Sequence, residues 1–206
     1  MSYSQNSEDL IIENYFNGFK GVLLDIGANE GETFSNSRRL ILQGWGAVMF
    51  EPSPSAFNRL SKLYKDCPLV AVHCVAISDK SGMLTFYESG AHVPNGNDIS
   101  LVSTLDYNDT IRWRKSGVQF NEIEVVAKSW ADVYRDLPKV FDFITIDAES
   151  MDWQILQQID LTAVGCRCLC IEWNSKPELA HAYTAYCLQH GLTELHRNAE
   201  NIIFCK

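Results

Sequence analysis

No C-x-x-C pair occurs among the seven cysteines of this 206-residue chain, and no apolar run approaches the length of a membrane span. The first lack removes the common zinc framework, and the second removes a helical membrane anchor. Basic residues are also few. Seventeen Lys and Arg stand against 26 Asp and Glu, a net charge of -9, and the averaged field repels nucleic acid and anionic membrane, so neither is expected as a partner. The densest basic group, Arg112, Arg114 and Lys115, reads as a solvated face. The opening MSYSQNSEDL has no basic n-region and no apolar h-region, so no conventional secretory signal is expected. With the cysteines odd in number and scattered, reduced thiols and a cytoplasmic location are the expectation. Cys166, Cys168 and Cys170 recur at the two-residue spacing that fills one face of a strand.

What is present is a globular composition, 46% hydrophobic and 21% charged, and a length that reads most simply as one domain over 1–206. Apolar stretches alternate with helix-compatible segments. VLLDI (22–26), AVMFE (47–51), VAVHCVAI (70–77), FDFITID (141–147) and CLCIEW (168–173) read as buried strands. Residues 33–43, 55–65, 129–137, 151–159 and 178–190 read as helices, with Pro54 and Pro177 in first turns and Gly44 and Gly191 at C-terminal stops. LTELHR and NIIFCK read as a terminal hairpin. The fold class expected is α/β, a seven-stranded, mostly parallel sheet with an antiparallel C-terminal edge hairpin and helices on both faces. Residues 1–20 form a lead-in helix. Residues 82–121 break the alternation, with MLTFYES as an edge strand and GAHVPNGNDIS as loop chemistry, and are taken as a substrate-facing insertion.

The most informative segment is GVLLDIGANEG at 21–31, where an apolar run stops at Asp25 and enters a glycine turn containing Glu30. Such a turn at the carboxyl end of a first strand is where α/β sheets meet nucleotide-like ligands. Between Gly21 and Ser37 there is no Lys or Arg, whereas Asp25, Glu30 and Glu32 all fall inside. A pyrophosphate needs a helix N-terminus free of competing anions and usually a third glycine. Carboxylates here suit a ligand bearing an ammonium and a sulfonium, and S-adenosylmethionine is one. An ordinary βα turn accounts for the glycines equally well. Further strand ends are polar too: Glu51, Ser78 with Asp79, and Asp147. Glu51, 24 residues beyond Gly27 (51 minus 27), either accepts hydrogen bonds from two ribose hydroxyls or caps the helix that Pro54 begins.

DIGANEGETFSN, FEPSPSAFNRL, HCVAISDKSGMLTFY, VSTL and FDFITIDAESMDWQIL follow in this order, after the lead-in YSQNSEDLIIENYF. Over residues 3–173 the chain resembles the FkbM family of S-adenosylmethionine-dependent methyltransferases. The resemblance implies a Rossmann-like class I fold, S-adenosylmethionine as cofactor and S-adenosylhomocysteine as product. It implies that Asp25, Gly27, Ala28, Asn29 and Gly31, with Glu30 among them, form the cofactor turn. Glu51 would hold the ribose, Pro52, Ser53, Ala76 and Ile77 would lie beside the adenosine, and Asp147 would face the reacting end. Where the family shows an acid followed by glycine, this chain has Glu149 followed by Ser150. At the N-terminus, Ser4, Gln5 and Glu8 either fold over the methionine end of the cofactor, or Ser4 or Ser7 caps the lead-in helix.

Methyl transfer is an in-line displacement, so the protein must align a nucleophile and take its proton. The candidates for that work are Asp147, Glu149, Glu172 and His92, with His73 reading as a core residue and His196 as a lesser candidate. With Asn174, the three acids can also hold a hard divalent ion. IDAESMDW is similar to the acid-rich loop of metal-dependent catechol-type O-methyltransferases. The FkbM resemblance does not require a metal, and none is expected. Trp113, Trp153 and Trp173 serve either as flat substrate surface or as core. The expected activity is O-methylation of a hydroxyl on a small metabolite, sugar or glycan. A catalytically silent module that binds cofactor, and engages a partner through 82–121, is the alternative. A nicotinamide oxidoreductase fits the fold but not the acidic turn.

Overall fold

A computed structural model describes residues 1–90 and 100–206. His92, Asn95 and Asn97 therefore lie outside the described residues. The lead-in helix α1 (Glu8–Phe16) is followed by β1 (Val22–Ile26), α2 (Arg38–Leu42), β2 (Gly46–Phe50), α3 (Pro54–Tyr64), β3 (Val70–His73) and β4 (Ala76–Ile77). Then come β5 (Gly82–Ser89), α4 (Tyr107–Lys115), β6 (Phe120–Lys128), α5 (Trp130–Tyr134), β7 (Phe143–Ile146) and α6 (Asp152–Leu156). The chain closes with β8 (Cys168–Glu172), α7 (Pro177–Gln189), β9 (Thr193–Arg197) and β10 (Asn201–Cys205).

Seven strands form the main sheet in the order β3-β2-β1-β7-β8-β10-β9. The first five pair in parallel, and β10 runs antiparallel to both β8 and β9. The chain winds outward from β1 to β3 and returns at β7, so the strand order reverses between β1 and β7. A crevice opens at the carboxyl ends of strands at such a point.

Alternation along each strand divides the core in two. Leu24 and Ile26, Ile144 and Ile146, Leu169 and Ile171, and Ile202 and Phe204 face α5, α6 and α7, where Trp130, Leu156 and Tyr183 are buried. Leu23, Phe143, Cys168, Cys170, Ile203 and Cys205 face α1, α2 and α3, where Phe16, Leu40 and Leu60 are buried. Cys168 and Cys170 do share one face, but Cys166 precedes the strand and joins the opposite core. Asp25, Thr145, Glu172 and Asn201 fall on the α1 face by the same alternation.

Two expected elements differ in instructive ways. The apolar run 70–77 is not one buried strand: β3 is a partly exposed edge strand, and the chain leaves the sheet after His73. Ala76 and Ile77 then pair with β6 in a second, three-stranded sheet, β4-β6-β5. The helix expected over 33–43 is helical only from Arg38. Phe34 is left-handed at φ 57°, Ser35 Oγ accepts from Arg38 N at 3.1 Å, and Ser37 Oγ is turned to Asp25, so this stretch is a hydrogen-bonded loop. Helices expected over 129–137 and 151–159 shorten to α5 and α6. Among the described residues, no helix is long and apolar enough to cross a membrane.

Candidate functional site

A cavity of about 270 Å³ opens at the carboxyl ends of the strands, over the reversal between β1 and β7. Its wall carries Asp25, Glu51, Asp147, Glu149, Glu172 and Glu200, and no Lys, Arg or His among the described residues. Phe50, Ile77, Phe86, Leu101, Val102 and Leu105 supply apolar surface.

The glycine turn is built by close packing. Gly27 N and Ala28 N both donate to Phe50 O at 3.0 Å, tying β1 to β2. Gly27, at φ 87°, lies so close to the end of β7 that a Cβ would stand 1.7 Å from the Asp147 carbonyl oxygen. Asn29 N donates to Glu51 Oε2 at 2.8 Å and Ser53 N to Glu51 Oε1 at 2.7 Å. The Glu51 carboxylate is therefore held on both oxygens by backbone, with a further lone pair free on each for a diol. Asp25 accepts from Ser37 Oγ at 2.5 Å.

Of the residues expected at the cofactor, Asp25, Gly27, Ala28, Asn29, Glu51, Pro52, Ala76, Ile77 and Asp147 line this cavity. Glu30, Gly31 and Ser53 stand behind the wall. Glu30 Oε1 accepts from Thr33 N at 2.6 Å, a Cβ on Gly31 would meet Leu60 at 2.5 Å, and Ser53 caps α3 by accepting from Ala56 N at 3.2 Å. Gln5 lines the cavity, whereas Ser4 accepts from Asp9 N at 2.8 Å and Ser7 makes no side-chain cap. His73 stacks on Phe50 with centroids 5.0 Å apart, and burial with nearby Lys128 lowers its pKa. His196 lies on β9, away from the cavity.

At the opposite end Asp147, Glu149 and Glu172 converge, one oxygen from each lying within 4.8 Å of the others. The loop that carries Glu149 is pinned. Ala148 N donates to Asp152 Oδ1 at 2.8 Å, and Thr104 Oγ1 donates to Glu149 O at 2.7 Å. Arg112 reaches Glu149 Oε2 only at 3.8 Å while sitting 3.2 Å from Asp109.

Glu149 and Ser150 are both left-handed, at φ 45° and 78°. Ser150 thus holds the backbone conformation that the glycine of the FkbM pattern would adopt without a steric cost. Ser150→Gly is expected to raise the melting temperature by about 1–3 °C, relief of the left-handed serine outweighing the added unfolded-state entropy. A thermal melt of the variant checks this.

Burial governs the acids. It raises Asp25 to about 6, against the Ser37 hydrogen bond. It raises Glu51 to about 7 despite the Ser53 and Asn29 bonds, and Asp147 to about 7 with the Asp152, Asp25 and Glu51 charges adding. Glu149 and Glu172 are raised by burial and by neighbouring carboxylates. An acid whose pKa rises on folding holds its proton more tightly in the folded chain, so its favourable contribution is complete below about pH 4 and is lost as pH climbs toward 7. The ligand-free protein is therefore expected to melt at lower temperature at pH 7.5 than at pH 5.5. Melts across that range check it, and a rising profile would mean that water enters and screens these groups.

Sequence reasoning did not find Asn36, Phe86, Leu101, Val102 or Asn201, which all line the cavity. Phe86 alternates with Leu84 in MLTFYES and so was legible as one face of β5. Asn201 was hidden because only its register opposite Glu172 brings it to the site.

The reversal crevice, the glycine turn and the acid-lined wall together define a Rossmann-like class I methyltransferase. The model of the methyltransferase FkbM domain matches residues 25–191, and the chain belongs to that family. S-adenosylmethionine is the cofactor that goes with this membership, and the wall fits it, being acidic, in part apolar and, among the described residues, free of cationic side chains. Among solved structures, the fold is similar to the FkbM methyltransferase of Methylobacillus flagellatus, with TM-score 0.56 and 12% identity over 91% of this chain and 44% of that one. The chain thus spans less than half of that protein. It is also similar to a putative RNA methyltransferase from Pyrococcus horikoshii (0.51, 12%, 97% and 83%). A third similar structure is the N-terminal domain of human METTL16 in complex with SAH (0.51, 13%, 97% and 70%). No match is found among curated proteins.

Proposed function

We propose that this methyltransferase transfers the methyl group to a hydroxyl of a small metabolite, sugar or glycan. The observation that carries the reading is the convergence of Asp147, Glu149 and Glu172 at one end of a cavity whose other end is organised around Glu51 and Gly27. The bound cofactor supplies an electrophilic methyl on a sulfonium. Glu51 would accept from the ribose hydroxyls, Gly27, Ala28 and Asn29 would form the turn against it, and Pro52, Ala76 and Ile77 would border the adenosine. A carboxylate whose pKa lies near neutrality is matched to taking a hydroxyl proton as the oxygen attacks. Asp147, raised to about 7 by burial and neighbouring carboxylates, holds that place, with Glu149 beside it. Phe86, Leu101, Val102 and Trp113 bring the 82–121 segment to the cavity wall, which supports its role in facing the acceptor. Among the described residues the wall carries no Lys, Arg or His to hold the phosphates of a nucleic acid, which favours a small neutral acceptor over the RNA named for the Pyrococcus horikoshii protein.

Incubation with S-adenosylmethionine and separate sets of polyols, sugars, phenols and primary amines tests the reading. S-adenosylhomocysteine is expected to accumulate with hydroxyl acceptors. Turnover confined to amines would overturn the reading, and cofactor binding without turnover on any set would favour the silent module.

A further inference from the structure

Three carboxylates within 4.8 Å of one another, buried at the end of a cavity, cannot all carry charge unless protons or a cation neutralise them. The described side chains supply little. Arg112 is 3.8 Å from Glu149 and is shared with Asp109, and none of the described residues that line the cavity is cationic. Glu149 Oε2 is buried and accepts no hydrogen bond.

A second observation comes from another strand. Asn201 stands directly opposite Glu172 in the β8–β10 register, and its side chain shares the same sheet face. It is 6% exposed and lines the cavity. Its Nδ2 donates to Glu8 Oε1 at 3.0 Å, which leaves Oδ1, at the other end of the amide, buried and without a hydrogen-bond partner. A buried amide oxygen without a donor is costly, and it marks a place for a ligand.

The chemistry of these groups is uniform: carboxylate and amide oxygens, with no thiol or imidazole, the preference of hard cations. The three carboxylate oxygens lie no more than 4.8 Å from one another, close enough to share one ion whose oxygen ligands stand about 2.0–2.6 Å from it. The site is also held in advance. Asp147 follows β7 and Glu172 ends the adjacent parallel strand β8, and the Glu149 turn is tied to Asp152 and Thr104.

We propose that Asp147, Glu149 and Glu172, with the amide oxygen of Asn201 beside them, form a binding site for a hard divalent cation such as calcium, manganese or magnesium. This departs from the expectation, made on resemblance, of chemistry without a metal. Its catalytic consequence rests on the hydroxyl-acceptor reading, since the ion would orient the acceptor oxygen and lower its pKa.

The test needs neither acceptor nor turnover, so it can fail without touching the assignment of acceptor. Manganese is titrated into the metal-stripped protein and the free ion followed by electron paramagnetic resonance, with melting temperature as a second readout. One ion per chain is expected, together with a rise in melting temperature. Glu172→Gln and Glu149→Gln should each weaken binding by about tenfold or more, and Asn201→Ala by several-fold. Glu122→Gln, on the exposed face of β6, should leave it unchanged. Three results would each overturn the site. They are no saturable binding in the millimolar range, binding indifferent to all three site variants, and displacement of the ion by S-adenosylhomocysteine, which would give the acids to the methionine ammonium instead.

Discussion

Gly27→Ala is expected to abolish cofactor binding and to lower the melting temperature by about 10 °C or more. The added methyl would lie 1.7 Å from the Asp147 carbonyl oxygen and 2.7 Å from its carbon. Neither atom belongs to a flexible side chain. Asp147 N is bonded to Ile26 O at 2.9 Å, and Gly27 N to Phe50 O at 3.0 Å, so relief requires parting three adjacent strands at their carboxyl ends. The positive φ of 87° adds about 1–2 kcal/mol for any L side chain. Gly191→Ala is the matched control. It has φ 77° and nothing within 4 Å of the built Cβ, so it carries the backbone cost alone and should lower the melting temperature by only a few degrees. Calorimetry with S-adenosylmethionine and thermal melts of both variants separate the two effects. Wild-type affinity in Gly27→Ala would remove the turn from the proposed cofactor site.

That glycine also shows what was readable beforehand. DIGANEG announced a turn with two glycines and acids, because strand, glycine and charge are local properties of the chain. The reason Gly27 admits no side chain, the carbonyl of Asp147, lies 120 residues away (147 minus 27) and follows only from β1 pairing with β7. The same division holds elsewhere. The strands 22–26 and 168–173 and the terminal hairpin were legible from apolar runs and turn residues. The run 70–77 misled because hydrophobicity does not reveal which sheet a strand joins, and here it divides between two. Thr33 to Gln43 misled because Ser35 and Ser37 spend their hydroxyls on Arg38 N and Asp25 instead of leaving the backbone free to coil. At the site, Asp147, Glu149 and Glu172 were legible as strand-end acids, and Asn201 was not, since an asparagine in a hairpin carries no signal until its register is known.

A large loss of cofactor affinity is also expected at Glu51. Its two oxygens each take one backbone N–H, and the residue lines the cavity. Glu51→Ala removes the acceptor for a ribose diol and strands the Asn29 and Ser53 amides. With charge-assisted bonds worth about 1.5–3 kcal/mol each, affinity should fall by about a hundredfold or more. Glu51→Gln is nearly isosteric, yet its amide must point a donor at either Asn29 N or Ser53 N, so it too should lose most of the affinity. The pH dependence distinguishes the carboxylate from a merely structural side chain. Burial raises Glu51 to about 7, so at pH 6 it is mostly protonated in the free protein and cannot accept from both hydroxyls. Wild-type affinity should then increase between pH 6 and pH 8 as the proton leaves, and the increase should be much smaller in Glu51→Gln. Equal pH profiles in the two proteins, or undiminished binding in Glu51→Ala, would place the adenosine elsewhere in the cavity.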